Sequence, residues 1–300
     1  MAPAPRSRPM SRRLLAKALL PLMLCACAAT PAGESAANAD AAAQSTPPVA
    51  MSMRAPDPLL DQALAGAWRS PENVARDVHR HPRETLTFFG IETGRTVVEI
   101  TPGGGWYAEI LAPWLRTGYV AAIPDPMAYP EDRRDYPARA KAGLDTLFAS
   151  KPEQYGDARV VAYDPAAPVF GPAGSADAVL TFRNVHNWRS AGIAGAMFKG
   201  FFDVLKPGGV LGVVEHRAAG DVADEDRSGY VGQDQVIALA EAAGFRLDEA
   251  SEINANPRDT RDHPNGVWTL PPTNRHDAED RQQYQAIGES DRMTLRFIKP

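Results

Sequence analysis

The segment from residue 97 to residue 111 constrains the fold of this chain more than any other. It reads VVEITPGGGWYAEIL, in which an apolar run leads into three successive glycines and then into apolar residues at helical spacing. This order predicts a β-strand, a tight turn and a helix, which together begin a unit of a parallel sheet. Because a glycine turn bares the main chain and the next helix points free N–H groups at it, the segment also predicts a nucleotide-type ligand site.

The glycine turn alone leaves the kind of ligand open. Glu99 ends the predicted strand, where a carboxylate suits hydroxyl and ammonium donors better than phosphate. The same residues fit the dinucleotide fingerprint as Gly103-x-Gly105-x-x-Ala108, with Asp125 at about the distance expected for a ribose-binding acid. An ordinary glycine turn between a strand and a helix is the third interpretation.

Short apolar runs alternate with helical segments along the rest of the chain, which predicts right-handed crossovers and a mostly parallel sheet. The predicted strands are 96–100, 119–123, 160–163, 176–182, 210–215, 245–253 and 294–298. The predicted helices are two or three short ones within 58–89, followed by 106–115, 133–148, 193–205 and 234–243. The connection 254–291 is dense in Pro, Asn, Asp and Arg, and its length indicates a functional or disordered segment, which we interpret as a lid.

Four spaced motifs resemble those of the class I, seven-stranded S-adenosylmethionine-dependent methyltransferases. The family's acid-x-Gly-x-Gly-x-Gly motif is matched by Glu99-x-Thr101-x-Gly103-x-Gly105, with Thr101 in place of the first glycine. The other three matches are the Lys-Pro-Gly-Gly turn at 206–209, the Ala-Ala-Gly-Phe helix end at 242–245 and the closing strand at 293–300. The resemblance covers 90–300. It is greatest to bacterial exported proteins catalogued as predicted methyltransferases, which share Pro-Gly-x-Gly-Trp in the first motif.

The resemblance implies an α/β fold with a doubly wound, mostly parallel seven-stranded sheet of order 3-2-1-4-5-7-6, strand 7 antiparallel, and an N-terminal helical cap over 57–90. It also implies S-adenosylmethionine as the cofactor. By position, Glu99 would lie near the donor's amino-acid group, Asp125 near its ribose and Asp164 near its adenine amino group. Pro124 and Pro126 flank Asp125, which departs from the family pattern and stiffens that turn. The predicted cofactor-binding residues are Glu99, Thr101, Gly103, Gly105, Trp106, Asp125, Asp164, Arg183 and Asn184.

The segment after the fourth predicted strand, 181–188, is where the fold presents groups to the methyl carbon and its acceptor. Histidine ordinarily titrates near pH 6.5, which suits proton removal at neutral pH, so His186 is the predicted general base. A hydrogen-bonded loop histidine is the alternative. Glu215-His216-Arg217 is a second candidate region for the acceptor pocket. The spacing of the other histidines is not typical of a metal site, so no metal is predicted.

The N-terminal 26 residues predict an export signal. Five basic residues precede an apolar run, 18–24, that is too short to span a bilayer. Residues 11–17 are similar to the twin-arginine signature, and 24–27 to a lipoprotein cleavage box that would leave Cys27 acylated. A soluble exported protein is the alternative. Residues 27–56 predict a flexible tether, which leaves 57–300 as the methyltransferase-like domain of a periplasmic, membrane-tethered lipoprotein.

Charge and cysteine content narrow the classes of partner. The chain carries a formal charge of −5, and loss of the basic export signal would bring the remainder to −10, which disfavours a nucleic-acid partner. Both cysteines lie at 25 and 27, so no disulfide is expected in the domain. The predicted function is methyl transfer to a small or lipidic acceptor. A non-catalytic ligand-binding or assembly module on the same fold is one alternative, and an NAD-dependent oxidoreductase is another.

Overall fold

The structure is a computed structural model that describes residues 57–300. The predicted export signal and tether lie outside the described residues. Within 57–300, none of the helices is both long enough and apolar enough to cross a lipid bilayer.

One seven-stranded sheet organises the described chain. Its strands are β1 (Val97–Ile100), β2 (Tyr119–Pro124), β3 (Arg159–Tyr163), β4 (Ala176–Phe182), β5 (Leu205–His216), β6 (Arg246–Ser251) and β7 (Arg292–Ile298). They lie in the order β3-β2-β1-β4-β5-β7-β6. Only β7 is antiparallel to its neighbours, β5 and β6, and the other pairs are parallel. The predicted fold class is confirmed.

Helices precede the sheet and connect its strands. They are α1 (Pro58–Leu64), α2 (Pro71–Val74), α3 (Asp77–Arg80), α4 (Pro82–Phe88), α5 (Ala108–Leu115), α6 (Asp135–Ser150), α7 (Pro152–Tyr155), α8 (Val185–Ser190), α9 (Ala194–Val204), α10 (Gln233–Ala242) and α11 (Arg281–Ile287). Within the described residues, four helices, rather than two or three, precede β1. Pro71 and Pro82 each begin a helix, and His81 interrupts the run with a left-handed φ of 42°.

Alternate strand residues belong to two different hydrophobic clusters. Val98 and Ile100 of β1 pack in the cluster that contains Phe198 of α9. Val97 packs in the cluster that contains Ile110 and other residues of α5. Because successive side chains of a strand point to opposite faces, helices cover both faces of the sheet.

The Pro-Gly-Gly turn interrupts the pairing of β5. Leu205 pairs with Ala176, and pairing with β4 resumes only at Val210, so the four residues between them form an excursion. Gly208 has a φ of +75°, a conformation that glycine adopts at little cost. The predicted turn before the fifth strand is therefore an excursion within it, because β5 begins at Leu205, five residues earlier than the sequence indicated.

Candidate functional site

A cavity of about 320 Å³ lies at the carboxyl ends of β1 and β4. The strand order reverses between these two strands, and such a reversal leaves a crevice in which open α/β sheets bind ligands. Four stretches of chain contribute most of the lining: 73–80 from the helices before β1, 99–107, 182–187 and the C-terminal stretch 267–292. The helical cap and the long connection thus both contribute to the wall of the cavity.

Glu99 presents a buried carboxylate at the end of β1. The residue is 2% exposed and lines the cavity. Burial raises the pKa of Glu99 to about 7, although the Tyr119 hydroxyl, which donates a hydrogen bond to Oε2 at 2.7 Å, opposes the shift. A cationic group of a ligand would favour the ionised form of this carboxylate.

No side chain within 57–300 covers the main chain of Gly103 and Gly104 in the turn after β1. A Cβ added to Gly103 or Gly104 would meet no atom within 4 Å, and Gly103 has a φ of +60°. Thr101, at the position of the family's first glycine, also takes a positive φ, +50°, and its Oγ1 lies 2.8 Å from the Tyr163 hydroxyl. Thr101 and Gly103 both line the cavity.

Gly105 serves the packing of the turn and is not among the residues that line the cavity. Its φ is +81°, and an added Cβ would lie 2.6 Å from Leu147 Cδ2 in α6. A larger residue at this position would therefore collide with α6 rather than with a ligand.

Asp125 and Asp164 directly follow β2 and β3 as predicted, but neither lines the cavity. Asp125 accepts a hydrogen bond from the Met127 N–H at 2.9 Å, and Asp164 accepts one from the Ala166 N–H at 2.8 Å. Each carboxylate thus stabilises its own turn in the present arrangement.

Aromatic rings form one wall of the cavity. Trp106 is buried and donates its indole N–H to the Asn73 carbonyl at 2.9 Å, which ties the turn after β1 to α2. Tyr107 stacks on Phe182 with ring centroids 3.6 Å apart and planes 14° from parallel. These aromatic side chains line the cavity, as does Trp268 from the long connection.

His186 is held by a buried carboxylate. Its Nδ1 lies 3.0 Å from Oε1 of Glu215, which is fully buried at the end of β5. Glu215 Oε2 also accepts a hydrogen bond from the Val185 N–H at 2.6 Å, at the start of α8. A carboxylate partner selects the tautomer with the proton on Nδ1, so Nε2 is the ring's free proton acceptor. His186 lines the cavity, and the sequence had not indicated its pairing with Glu215.

The side-chain ligand atoms of His186, Glu215 and His216 lie within 4.8 Å of one another, a spacing that would admit a metal ion. Hydrogen bonds already account for this arrangement, however. Glu215 Oε1 accepts one from the His216 N–H at 2.8 Å, and His216 Nδ1 lies 2.5 Å from Ser290 Oγ.

Asn184 joins the two strands that border the cavity. Its Nδ2 donates to the Ile100 carbonyl at 3.0 Å and to Thr181 Oγ1 at 3.2 Å, and the residue is buried. The carboxyl ends of β1 and β4 are therefore held at a fixed separation beneath the ligand space. Arg183, the preceding residue, lines the cavity with a φ of +61°.

Four arginines line the cavity, and sequence reasoning singled out only Arg183 as a binding residue. The others are Arg76, Arg80 and Arg292. Burial opposes ionisation of the neighbouring Glu289, yet the guanidinium groups of Arg292, Arg80 and Arg76 hold its pKa well below the ordinary value. Arg80, within Arg-His-Pro at 80–82, and Arg292 come from opposite ends of the described chain, so no local motif joins them.

Comparisons with known proteins show the fold alone. No protein-family model matches the sequence, and no curated protein matches it. The solved structures that it resembles include the cyclase SpnF, at 14% identity and a TM-score of 0.52 over 81% of this chain and 92% of that one. A sarcosine dimethylglycine methyltransferase assigned in Galdieria sulphuraria gives 12% identity and a TM-score of 0.50 over 81% and 89%. An Aquifex aeolicus methyltransferase gives 14% and 0.46 over 77% and 94%.

The chain therefore has the fold of the class I S-adenosylmethionine-dependent methyltransferases. Its sheet order, with β7 antiparallel between β5 and β6, differs from the 3-2-1-4-5-6 order of the dinucleotide-binding fold. This difference weighs against the alternative prediction that the protein is an NAD-dependent oxidoreductase.

Proposed function

We propose that the protein binds S-adenosylmethionine at the turn after β1 and transfers its methyl group to a small or lipidic acceptor in the same cavity. The observation that carries the proposal is the juxtaposition of the Glu99 carboxylate with the bare main chain at Gly103, both bordering space that no protein atom fills. A carboxylate at that place suits the donor's ammonium group, and bare main chain permits close approach of its adenosyl part.

The remaining donor contacts follow from the same placement. When bound, S-adenosylmethionine supplies an electrophilic methyl group on a sulfonium sulfur. Trp106 and Tyr107 would line the space around that cation. Arg183 and Asn184 would border the donor space just after β4, and Thr101 would border it at the turn. Gly105 maintains the turn itself. Asp125 and Asp164 remain proposed contacts to the ribose and adenine, made when their carboxylates turn away from their own loops.

His186 is the proposed general base. Methyl transfer is an in-line displacement, so the cavity must align the acceptor atom with the methyl carbon and the sulfur. Where that atom carries a proton, Nε2 of His186 accepts it while Glu215 stabilises the resulting imidazolium through Nδ1. A positioned base of this kind typically contributes about 10² to 10⁴ in rate.

Calorimetric titration of the purified protein with S-adenosylmethionine and S-adenosylhomocysteine tests the proposal. We expect both compounds to bind with one-to-one stoichiometry. Native mass spectrometry of protein taken from the cell envelope would identify any small molecule that accompanies it. A folded protein that binds neither compound contradicts the proposal.

A non-catalytic ligand-binding or assembly module is the second candidate. The observation that favours it is that Asp125 and Asp164 hydrogen-bond within their own turns and lie outside the cavity. Calorimetry distinguishes the two candidates, because this one requires a folded protein with no affinity for the methyl donor or its product.

We further propose that the protein is exported and tethered to a membrane in the periplasm through acylated Cys27. Support comes from the basic and apolar segments before Cys27 and from the small residues around it. Because S-adenosylmethionine is made in the cytoplasm, a folded protein exported by the twin-arginine route would carry its ligand outward. Fractionation of cells expressing wild type and Cys27→Ser tests this, since the variant should leave the membrane fraction.

A further inference from the structure

The arginines around the cavity outnumber the carboxylates that pair with them. Arg76 Nε lies 2.6 Å from Glu289 Oε1, and Arg80 Nε lies 3.6 Å from Oε2 of the same carboxylate. Arg292 also pairs with Glu289. The side chain of Arg183 has no hydrogen-bond acceptor among residues 57–300. Three guanidinium groups thus pair with one strongly ionised carboxylate, and Arg183 pairs with none in the described part of the chain. Glu99 is the other carboxylate near these arginines, and their charge lowers its pKa only in part, since burial still holds it at about 7.

Several nitrogen atoms of this cluster are buried without an acceptor. They are Arg76 Nη2, Arg80 Nε and Arg292 Nε. Arg80 is only 4% exposed, and its guanidinium lies 4.6 Å from the centre of the Trp106 ring, on the wall of the cavity. Buried donors without acceptors are unfavourable, and in native proteins an ordered water or a bound ion commonly completes their hydrogen bonds.

The guanidinium groups also repel one another. Burial, and then the charge of Arg183, lower the pKa of Arg80 well below its ordinary value. Burial and the charge of Arg292 lower the pKa of Arg183 to about 10. An anion placed between these side chains would relieve both effects.

The methyl donor cannot supply that anion alone. S-adenosylmethionine carries one carboxylate, one ammonium and one sulfonium, so it is a cation overall and adds to the positive charge of the cavity. Glu99 is the proposed partner of the ammonium, and the donor carboxylate can occupy only part of the arginine cluster. A second negative group would therefore be favoured in the cavity when both substrates are present.

We infer that the methyl acceptor is an anion, bearing a carboxylate or a phosphate that the guanidinium groups of Arg183, Arg80 and Arg76 bind next to the methylated atom. That the bound anion is a methyl acceptor rests on the proposed function. The existence of an anion site does not. Both groups match the planar fork of arginine, which donates two parallel hydrogen bonds to either.

Titration of the purified full chain with inorganic phosphate, and separately with acetate, at constant ionic strength tests the inference. Each titration is run with and without saturating S-adenosylhomocysteine, and binding is followed by calorimetry. We expect saturable binding of at least one anion in wild type and about tenfold or greater weakening in Arg183→Gln. Stronger binding of phosphate indicates a phosphorylated acceptor, and stronger binding of acetate indicates a carboxylic acid.

Arg116→Gln is the matched control, because Arg116 also has a positive φ, +54°, but is exposed near Asp157. It should bind the anion as wild type does. Arg76→Gln, at a partly exposed position, provides a second test should Arg183→Gln fold poorly by circular dichroism.

Three outcomes overturn the inference. They are absence of anion binding to wild type, unchanged binding in both arginine variants, and complete displacement of the anion by S-adenosylhomocysteine, which would assign the arginines to the donor carboxylate. If wild type binds the anion through these arginines but neither adenosyl compound, the proposed function fails and the anion site stands.

Discussion

Tyr119 and Glu99 form a buried hydrogen bond across neighbouring strands, with the tyrosine hydroxyl donating to Glu99 Oε2 at 2.7 Å. Burial raises the pKa of Glu99 to about 7, and this hydrogen bond limits the increase because it stabilises the ionised form. The carboxylate at the proposed donor site is therefore balanced between its neutral and charged forms near neutral pH.

Affinity for S-adenosylhomocysteine should rise with pH through about 7, because the donor ammonium binds the ionised form of Glu99. The expected gain between pH 6 and pH 8 is about tenfold. Calorimetry across this range measures it. Glu99→Gln should bind weakly with little pH dependence, and Tyr119→Phe should move the midpoint upward. A flat profile in wild type would exclude Glu99 as the ammonium partner.

The same group sets a pH dependence of stability without ligand. The folded-state pKa of Glu99 is raised from 4.5 to about 7, so the folded protein retains a proton that the unfolded chain has lost. The contribution of Glu99 to the free energy of unfolding is complete below about pH 4.5 and is lost as the pH rises to about 7. The free energy of unfolding should decrease by up to about 3 kcal/mol over this range. Urea unfolding at several pH values should show a shallower decrease in Glu99→Gln than in wild type.

Gly103→Val should abolish donor binding, because the new side chain projects into open space at the turn. The positive φ at this position adds strain of about 1 kcal/mol or more. Gly174→Val controls for that strain, since Gly174 has a φ of +64° with equally open surroundings and does not line the cavity. Both variants should lose stability, but only the first should lose calorimetric binding. Equal binding by the two would contradict the site.

Glu215→Gln should change the protonation pattern of the His186 ring. The wild-type carboxylate accepts from Nδ1, so nitrogen chemical shifts should report a proton on Nδ1 and a free Nε2. The glutamine side chain is neutral and can also donate from its NH2 group, so it stabilises an imidazolium less than the carboxylate does. The proportions of the two His186 tautomers should therefore change. Ser290→Ala is the control because Ser290 contacts His216 instead. Identical His186 shifts in wild type and Glu215→Gln would exclude the pair.

Asp259 should stabilise the folded conformation of the long connection, residues 254–291. This fully buried carboxylate accepts hydrogen bonds from the Tyr230 hydroxyl at 2.9 Å, from the Asp291 N–H at 2.7 Å and, at Oδ1, from His263 Nε2 at 2.8 Å. Asp259→Ala should lower the free energy of unfolding by about 3 kcal/mol and increase hydrogen exchange over 266–273. Asp224→Ala, at an exposed ion pair, should change neither measurement detectably.

Thr101→Gly should leave donor binding intact. Glycine relieves the positive φ but removes the hydroxyl contact with Tyr163, and these effects, each about 1 kcal/mol, nearly cancel in stability. Thr101→Val keeps the strain and loses the contact, so it should unfold at lower urea concentration than either. A strongly destabilised Thr101→Gly would show that the hydroxyl contact dominates.

Local patterns predicted the sheet and the glycine turn well. An apolar strand, a glycine turn and an amphipathic helix are encoded within a few residues, and the order of the remaining strands followed from the family resemblance. His186 remains a predicted base, and its position at the cavity was predictable because it lies four residues after the end of β4. These features depend on interactions between residues that are close in sequence or repeated at regular spacing.

The arginine cluster could not be predicted in this way. Arg76 and Glu289 are 213 positions apart, and nothing in either local sequence indicates the other. Gly105 shows a second limit, since one glycine motif serves both ligand approach and helix packing. The division between these roles depends on where Leu147 of α6 lies, which no local pattern specifies.

Glu289 connects Arg76 and Arg80, which precede the first strand, to Arg292, which begins the last. Two chains could therefore share the same glycine turn and yet differ in substrate charge if their terminal segments diverged. Classification of such proteins by the turn alone would group those with cationic acceptors and those with anionic acceptors together. The joint presence of this glutamate and its three arginines would distinguish the two groups.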